Sequence, residues 1–440
     1  MERETKRKLV HIGMVGWAFL IGRIPPVFIS GLALAALFFN LFILPRITGR
    51  ALERKEERAL GFSPGMIAYP AVVFLLSLIF FHSQVFLAVA WGAMAFGDGF
   101  ATVVGKKYGR HQVVRLSGKT WEGTLAFVVA GIAGTVVLVF SLPSEVQLGL
   151  PAGVWMAVIV LAILLSAVSE ILRGTVNDNI MVPLTAAFTA FFAVKIFLTG
   201  QFIVPGNWWM GLVFVVLLVA LSLFSGRFDL KGAITGGGIT ALVFLGGGMA
   251  GLLFMVIFVI GGVAGSAWRI RDKINLGLAQ ENRNRRRAIH VLANGSVPAM
   301  LGILAWVFPD QRELYLGMMT AALASALADT WSSELGNIYG KGFVNIVSLQ
   351  PDIRGRDGVI SLQGSLAGVA GSGIMASAYC LYTGSMYGSF IILLAGVMGN
   401  FLDSLLGATL QRRGYMTNHS VNLVNTLFAA LFFMYFYTMK

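Results

Sequence analysis

Apolar residues run along this chain in long unbroken blocks, and polar residues collect in short clusters at their ends. Blocks without period-two alternation predict helices rather than strands. A helix needs roughly 20 apolar residues to cross a bilayer, and lipid leaves helices and closed barrels as the only spanning forms. The blocks predict spans at 9–22, 26–44, 66–81, 85–105, 122–141, 152–172, 180–198, 207–224, 232–248, 249–267, 288–307, 314–336, 358–382, 387–410 and 421–439. The expected fold is all-α: a polytopic transmembrane helical protein of about 15 spans. The segments 9–22, 66–81, 232–248 and 249–267 are short, and are expected to be tilted or re-entrant.

Composition strengthens the membrane reading. Of 440 residues, 57% are hydrophobic and 12% charged, about half the charged fraction of a soluble protein. Cys380 is the single cysteine, which excludes an internal disulfide and a cysteine metal cluster. The basic first eight residues lead into an apolar stretch without a small-residue cleavage site, so that stretch reads as the first span.

The net charge of +13 would suit nucleic acid, but its distribution does not. With a cytoplasmic N-terminus, every Lys and Arg except Arg23, Lys195, Arg312 and Lys440 falls on the cytoplasmic side. That is the bias of a membrane topology. The expected location is the cell membrane, with both candidate sites facing the cytoplasm and no nucleic acid partner.

Two polar clusters stand at helix ends where lipid is expected. Charges there usually face a cavity and do work. The first holds Gly97-Asp98-Gly99, then Ser117-Gly118-Lys119-Thr120, then Glu122-Gly123, with Ser169-Glu170, Asp178-Asn179 and Pro183 downstream. Asp98 and Glu122 are candidate metal ligands. Lys119 and Thr120 open a helix and are candidates for phosphate, with Asp178 and Asn179. Ser117 to Thr120 resembles the tail of a P-loop, but Val113 stands where that loop needs glycine, so the P-loop reading fails. Helix-end capping is the bland alternative for Glu122. His11 lies one turn into the first span and reads as structural.

The second cluster holds Asn294-Gly295, Asp329-Thr330, Ser333-Glu334, Arg356-Asp357-Gly358, Ser361, Gln363-Gly364 and Asp403, with Asn422 and Asn425. Asp329, Glu334 and Asp403 are expected to converge on one cation. Asn294, Arg356 and Asp357 are candidates for phosphate or nucleotide. Interhelical hydrogen bonding is the bland alternative.

The segment 201–209, QFIVPGNWW, reads as a boundary between a domain at 1–200 and one at 207–440. Glu122-Gly-Thr-Leu-Ala126 aligns with Gln363-Gly-Ser-Leu-Ala367, each downstream of an Asp-bearing helix. The spacings differ, 24 residues from Asp98 to Glu122 and 34 from Asp329 to Gln363, so the pattern is a candidate duplication.

Residues 1–200 resemble the polyprenol kinase family, which includes dolichol and phytol kinases. The resemblance rests on Arg7-Lys8-Leu-Val-His11-Ile-Gly13, Phe96-Gly97-Asp98-Gly99, Lys119-Thr120-Trp-Glu122-Gly123, Glu170 and Asp178-Asn179 with Pro183. It implies Mg²⁺- and CTP-dependent phosphorylation of an isoprenoid alcohol. Residues 207–440 resemble the multi-pass family that includes the plant phytyl-phosphate kinase. The matching residues are Val291 to Gly295, Ala328 to Trp331 with Ser333-Glu334-Leu-Gly336, Arg356-Asp357-Gly358 with Ser361 and Gly364, and Asp403 to Gln411. That family typically has Thr where this chain has Arg356. The resemblance implies phosphorylation of an isoprenyl monophosphate to the diphosphate.

The two resemblances make one expectation: phytol, or a geranylgeraniol-type alcohol, is phosphorylated twice, with CTP or another nucleoside triphosphate as donor. Catalytic roles fall to Asp98, Lys119, Glu122, Asp329, Glu334 and Asp403. A cytidylyltransferase forming a CDP-lipid and a membrane transporter of lipid or anionic solute remain the alternatives.

Overall fold

The computed structural model describes residues 12–47, 64–113, 119–171, 177–199, 208–277 and 286–439. His11, Ser117, Gly118, residues 201–207 of the expected boundary and Arg283 to Arg285 lie outside the described residues. Among the described residues the regular structure is helical apart from one two-stranded ribbon, and ten helices are long and apolar enough to cross a membrane. It is an all-α polytopic membrane protein. Residues Met1–Gln201 and Phe202–Lys440 form two compact units.

Unit 1 contains α1 (Pro26–Ile47), α2 (Pro64–Ile79), α3 (Val85–Tyr108), α4 (Trp121–Phe140), α5 (Ala152–Ile171) and α6 (Asp178–Thr199). Of the expected first span, the described part is a short 3-10 turn, Met14–Leu20, rather than a membrane-length helix. The middle of α3 widens into a π turn over Ala93–Asp98, a distortion that often marks functional positions. The core of the unit is apolar and aromatic, with Phe86, Trp155 and Phe127 buried.

Unit 2 contains α7 (Trp208–Phe224), α8 (Leu230–Ala267), α9 (Ile270–Asn275), α10 (Ala288–Val307), α11 (Arg312–Tyr339), α12 (Leu362–Thr383), α13 (Met386–Gln411) and α14 (Asn418–Thr438). The expected spans 232–248 and 249–267 are the two arms of α8, which breaks at Gly248 with φ 59°. Only glycine adopts that conformation at little cost. Helix α11 is buried along its middle by alanine and other small side chains, which lets neighbouring helices approach closely. Strands β1 (Val344–Asn345) and β2 (Val359–Ile360) pair antiparallel, in register Val344 to Ile360, and close the loop between α11 and α12.

Candidate functional site

In unit 1, four separate elements deliver the polar residues to one place. Thr120 caps α4 by accepting from the Gly123 N–H at 3.2 Å, a stabilising helix start. An antiparallel bridge from Gln112 to Thr120 ties the chain before α4 to the end of α3, and so positions Lys119. The Lys119 ammonium is hydrogen-bonded to the buried Glu170 on α5 and lies 2.9 Å from Asp178 Oδ2 at the start of α6. Buried Asp98, at the end of the π turn, completes an acidic group: one oxygen each from Asp98, Glu170 and Asp178 lie within 4.8 Å of one another. Burial alone would push the Lys119 ammonium down, but the carboxylates of Glu170 and Asp178 outweigh it and hold the pKa above its ordinary value. Asn179 is buried beside Asp178. It donates to the Gly65 carbonyl at 2.9 Å and leaves its own Oδ1 without a hydrogen-bond donor.

Glu122 is placed elsewhere. Its carboxylate accepts from the His111 ring at 2.8 Å and from the His111 backbone N–H at 3.3 Å. It is outside the acidic group, whose third carboxylate is Glu170. A residue on the first turn of α4 points back over the loop that precedes it, so the helix start selects His111 as its neighbour.

In unit 2, a cavity of about 1000 Å³ opens among α8, α10, α11 and α14. Asp329, Thr330, Ser333 and Glu334 reach it from α11, Asn294 from α10 and Asn422 from α14. Glu334 Oε2 accepts from the Lys273 ammonium at 2.6 Å. Lys273 is buried, and also donates to the Gly265 carbonyl at 3.0 Å. Asp403 on α13 is hydrogen-bonded to Asp329 and accepts from Asn425 Nδ2 at 2.6 Å. Asp329 and Asp403 thus stand together, but the expected convergence of three carboxylates is not found among the described residues: Glu334, on the same cavity wall as Asp329, is drawn to Lys273.

Arg356 and Asp357 do not line this cavity. They belong to the ribbon loop, where exposed Arg356 lies 3.5 Å from Asp352 and the Asp357 carbonyl accepts from Arg412 at 2.7 Å. The cations that do line the cavity are Arg227, Lys273, Arg286 and Arg287. Sequence reasoning assigned none of them; Arg286 and Arg287 close a basic run that reads equally well as a topology signal.

The two units repeat one local construction. Ser361 caps α12 by accepting from the Gly364 N–H at 3.2 Å, as Thr120 does for Gly123. A Cβ on Gly123 would lie 3.3 Å from Gly105 Cα, and one on Gly364 3.2 Å from Gly336 Cα. Asp98 precedes Gly105 by seven residues, and Asp329 precedes Gly336 by seven. In both units the residue two after the capping side chain, Glu122 or Gln363, accepts from a backbone N–H of the preceding loop, that of His111 or Lys341. Asp98 and Asp329 therefore occupy matching places above matching glycine crossings.

Residues 213–430 match a family described as integral membrane protein DUF92. The chain is 31% identical over 186 residues to an uncharacterized membrane protein of Synechocystis sp., covering 42% of this chain and 72% of the relative. It is 33% identical over 200 residues to the phytol kinase of Synechocystis sp., covering 42% and 78%. It is 29% identical over 186 residues to the chloroplastic protein VTE6 of Arabidopsis thaliana, covering 40% and 56%. No solved structure is a significant match. The chain belongs to this phytol kinase-like family of integral membrane proteins.

Proposed function

We propose that this family member is a two-site isoprenoid kinase. Unit 1 phosphorylates an alcohol of the phytol or geranylgeraniol type, and unit 2 adds a second phosphate to the product. CTP or another nucleoside triphosphate is the donor. The observation that carries this reading is the repeat, in which Asp98 and Asp329 stand at matching positions, each beside further carboxylates. The relative named phytol kinase supports the alcohol step.

Three carboxylate oxygens within 4.8 Å of one another fit a hard divalent cation, which takes oxygen ligands. Asp98, Glu170 and Asp178 would hold Mg²⁺ in unit 1; in unit 2 the paired Asp329 and Asp403 would do so, with Glu334 held by Lys273. Bound there, Mg²⁺ supplies neutralisation of donor phosphate charge. Lys119 anchors Glu170 and Asp178 and offers a further positive charge to the donor. In the first step the alcohol oxygen bonds to the terminal phosphorus as the bridging P–O bond breaks and nucleoside diphosphate leaves. The alcohol proton passes to Glu122, which His111 orients. In the second step a lipid phosphate oxygen is already the nucleophile, so no base is required. Active sites on the cytoplasmic face would meet the soluble donor and the membrane-dissolved acceptor together.

The test supplies purified protein with phytol or geranylgeraniol and radiolabelled CTP or ATP. Wild type makes monophosphate, then diphosphate. Asp98→Ala abolishes monophosphate formation, and Asp329→Ala lets monophosphate accumulate. Normal diphosphate production by both variants overturns the assignment. Release of pyrophosphate instead of nucleoside diphosphate would mark a cytidylyltransferase, and flux into sealed vesicles without nucleotide turnover a transporter.

A further inference from the structure

We propose that Arg286 is the anion-binding residue of the unit 2 cavity, and that it takes the phosphate of an amphiphilic acceptor. The proposal rests on the reading of unit 2 as a lipid-phosphate kinase and names the group that recognises its substrate.

Two cations of the cavity differ in what they do. Lys273 is committed, bound by Glu334 and by the Gly265 and Ser266 carbonyls. Arg286 donates to Ser266 Oγ at 3.2 Å and stacks over Phe228 at 5.9 Å from the ring centre. Among the described residues no carboxylate lies within ion-pair distance of it. A guanidinium carries five donors in a rigid fork, and moving such a charge out of water without a counter-ion is costly. Burial pushes the Arg286 guanidinium down from its ordinary value, against the pull of Glu334. A phosphate is the planar fork's natural complement.

The backbone holds this guanidinium in place. The Arg286 N–H donates to the Arg227 carbonyl at 2.7 Å, and the Asp229 N–H donates to the Arg286 carbonyl at 3.3 Å. A Cβ on Gly232 would stand 2.2 Å from that carbonyl, so the first turn of α8 is pressed against it. Asp229 fixes the turn by capping the Gly232 N–H at 2.6 Å.

Phe228 packs under Arg286, and Leu218, Ile239, Met255 and Phe258 add apolar surface to a cavity that also carries polar side chains. A prenyl phosphate can use both features, its phosphate on the Arg286 fork and its hydrocarbon on the apolar lining.

The experiment uses the full chain in lipid nanodiscs and measures binding of geranylgeranyl phosphate, geranylgeraniol and a non-hydrolysable nucleoside triphosphate. Arg286→Gln should weaken the lipid phosphate by roughly tenfold to a hundredfold, the range for a charged hydrogen-bonding group. Alcohol and nucleotide should bind as before, and Arg286→Lys should recover part of the loss. Should Arg286→Gln fail to fold, Ser266→Ala should shift the same ratio in the same direction by a smaller factor. Unchanged lipid-phosphate binding, or an equal loss for the nucleotide, overturns the proposal. Diphosphate formation is followed in parallel. Wild type that makes diphosphate while Arg286→Gln binds monophosphate normally sinks this inference alone. Wild type that binds monophosphate through Arg286 but never makes diphosphate sinks the kinase reading and supports the binding site.

Discussion

Gly336 and Gly364 meet backbone to backbone: a Cβ on Gly336 would stand 2.8 Å from Gly364 Cα. Gly105 and Gly123 make the matching crossing in unit 1, with 3.4 Å to Gly123 Cα and 3.1 Å to Thr120 Oγ1 from a Cβ on Gly105. The first contact, 2.8 Å to backbone, forces a shift of the helices; the second, 3.1 Å to the capping Thr120 hydroxyl, needs a give of only a few tenths of an ångström. Gly336→Ala should therefore cost about 1–3 kcal/mol, in the range for overpacking, and Gly105→Ala less. Because Asp329 lies two turns upstream on the same helix, Gly336→Ala should also slow the second phosphorylation and spare the first. Thermal unfolding in detergent and the two-step assay check both. Equal losses from the two alanines would refute the backbone argument.

Lys119 neutralises Glu170 and Asp178 at once, so removing it leaves two carboxylates facing each other beside Asp98. Lys119 and Asp178 keep part of their side-chain surface in solvent, 22% and 34%. Lys119→Met should therefore cost about 1–3 kcal/mol, less than the loss of a fully buried ion-pair partner. The double variant Lys119→Met/Glu170→Gln removes one of the stranded charges. It should be more stable than Lys119→Met alone, as chemical denaturation of the four proteins of the cycle would show.

Glu170 and Glu122 should separate in a metal titration. Glu170→Gln removes an oxygen from the acidic group, so Mn²⁺ binding to unit 1, read by electron paramagnetic resonance, should weaken by roughly tenfold or more, as when a metal site loses a supporting group. Glu122→Gln leaves that group intact. Its effect should fall on the rate of monophosphate formation, with Mn²⁺ affinity kept. Loss of Mn²⁺ in both variants would return Glu122 to the metal site.

That contrast shows how far the sequence was legible. Asp98 and Asp329 stood out because a carboxylate within an apolar block is visible locally. The helix start at Lys119-Thr120 is legible for the same reason, whereas the cap at Ser361 is not, because the apolar pattern places that span's start at 358. Glu170 was visible as polar, but its partner is Lys119, 51 residues away in sequence, and no local pattern reports such a contact. Glu122 looked like a ligand because it opens a membrane helix; only the bridge from Gln112 to Thr120 reveals that His111 lies under it. Lys273 and Arg286 were hidden among residues whose charge also orients a chain in a membrane. Their role depends on the fold of α8 and α9 against α11. The two short spans expected at 232–248 and 249–267 are one broken helix. Gly248 carries the turn at positive φ without interrupting the apolar pattern, so hydropathy alone does not report the break.

The loop between β1 and β2 should loosen in acid. The Ile353 N–H donates to Asp352 at 2.7 Å and the Arg412 guanidinium lies 2.7 Å from its other oxygen. These partners hold the Asp352 carboxyl at about 2, below its ordinary 3.8. A carboxyl depressed by folding binds protons more readily in the unfolded chain. Its contribution is therefore complete above pH 3.8 and drains away as pH falls towards about 2. Backbone hydrogen exchange across 341–361, corrected for the intrinsic rate, should accelerate over that interval in wild type. Asp352→Asn cannot ionise, so its exchange should start faster and stay flat over the same interval. Parallel curves for the two proteins would show that the Asp352 pairing does not hold the loop.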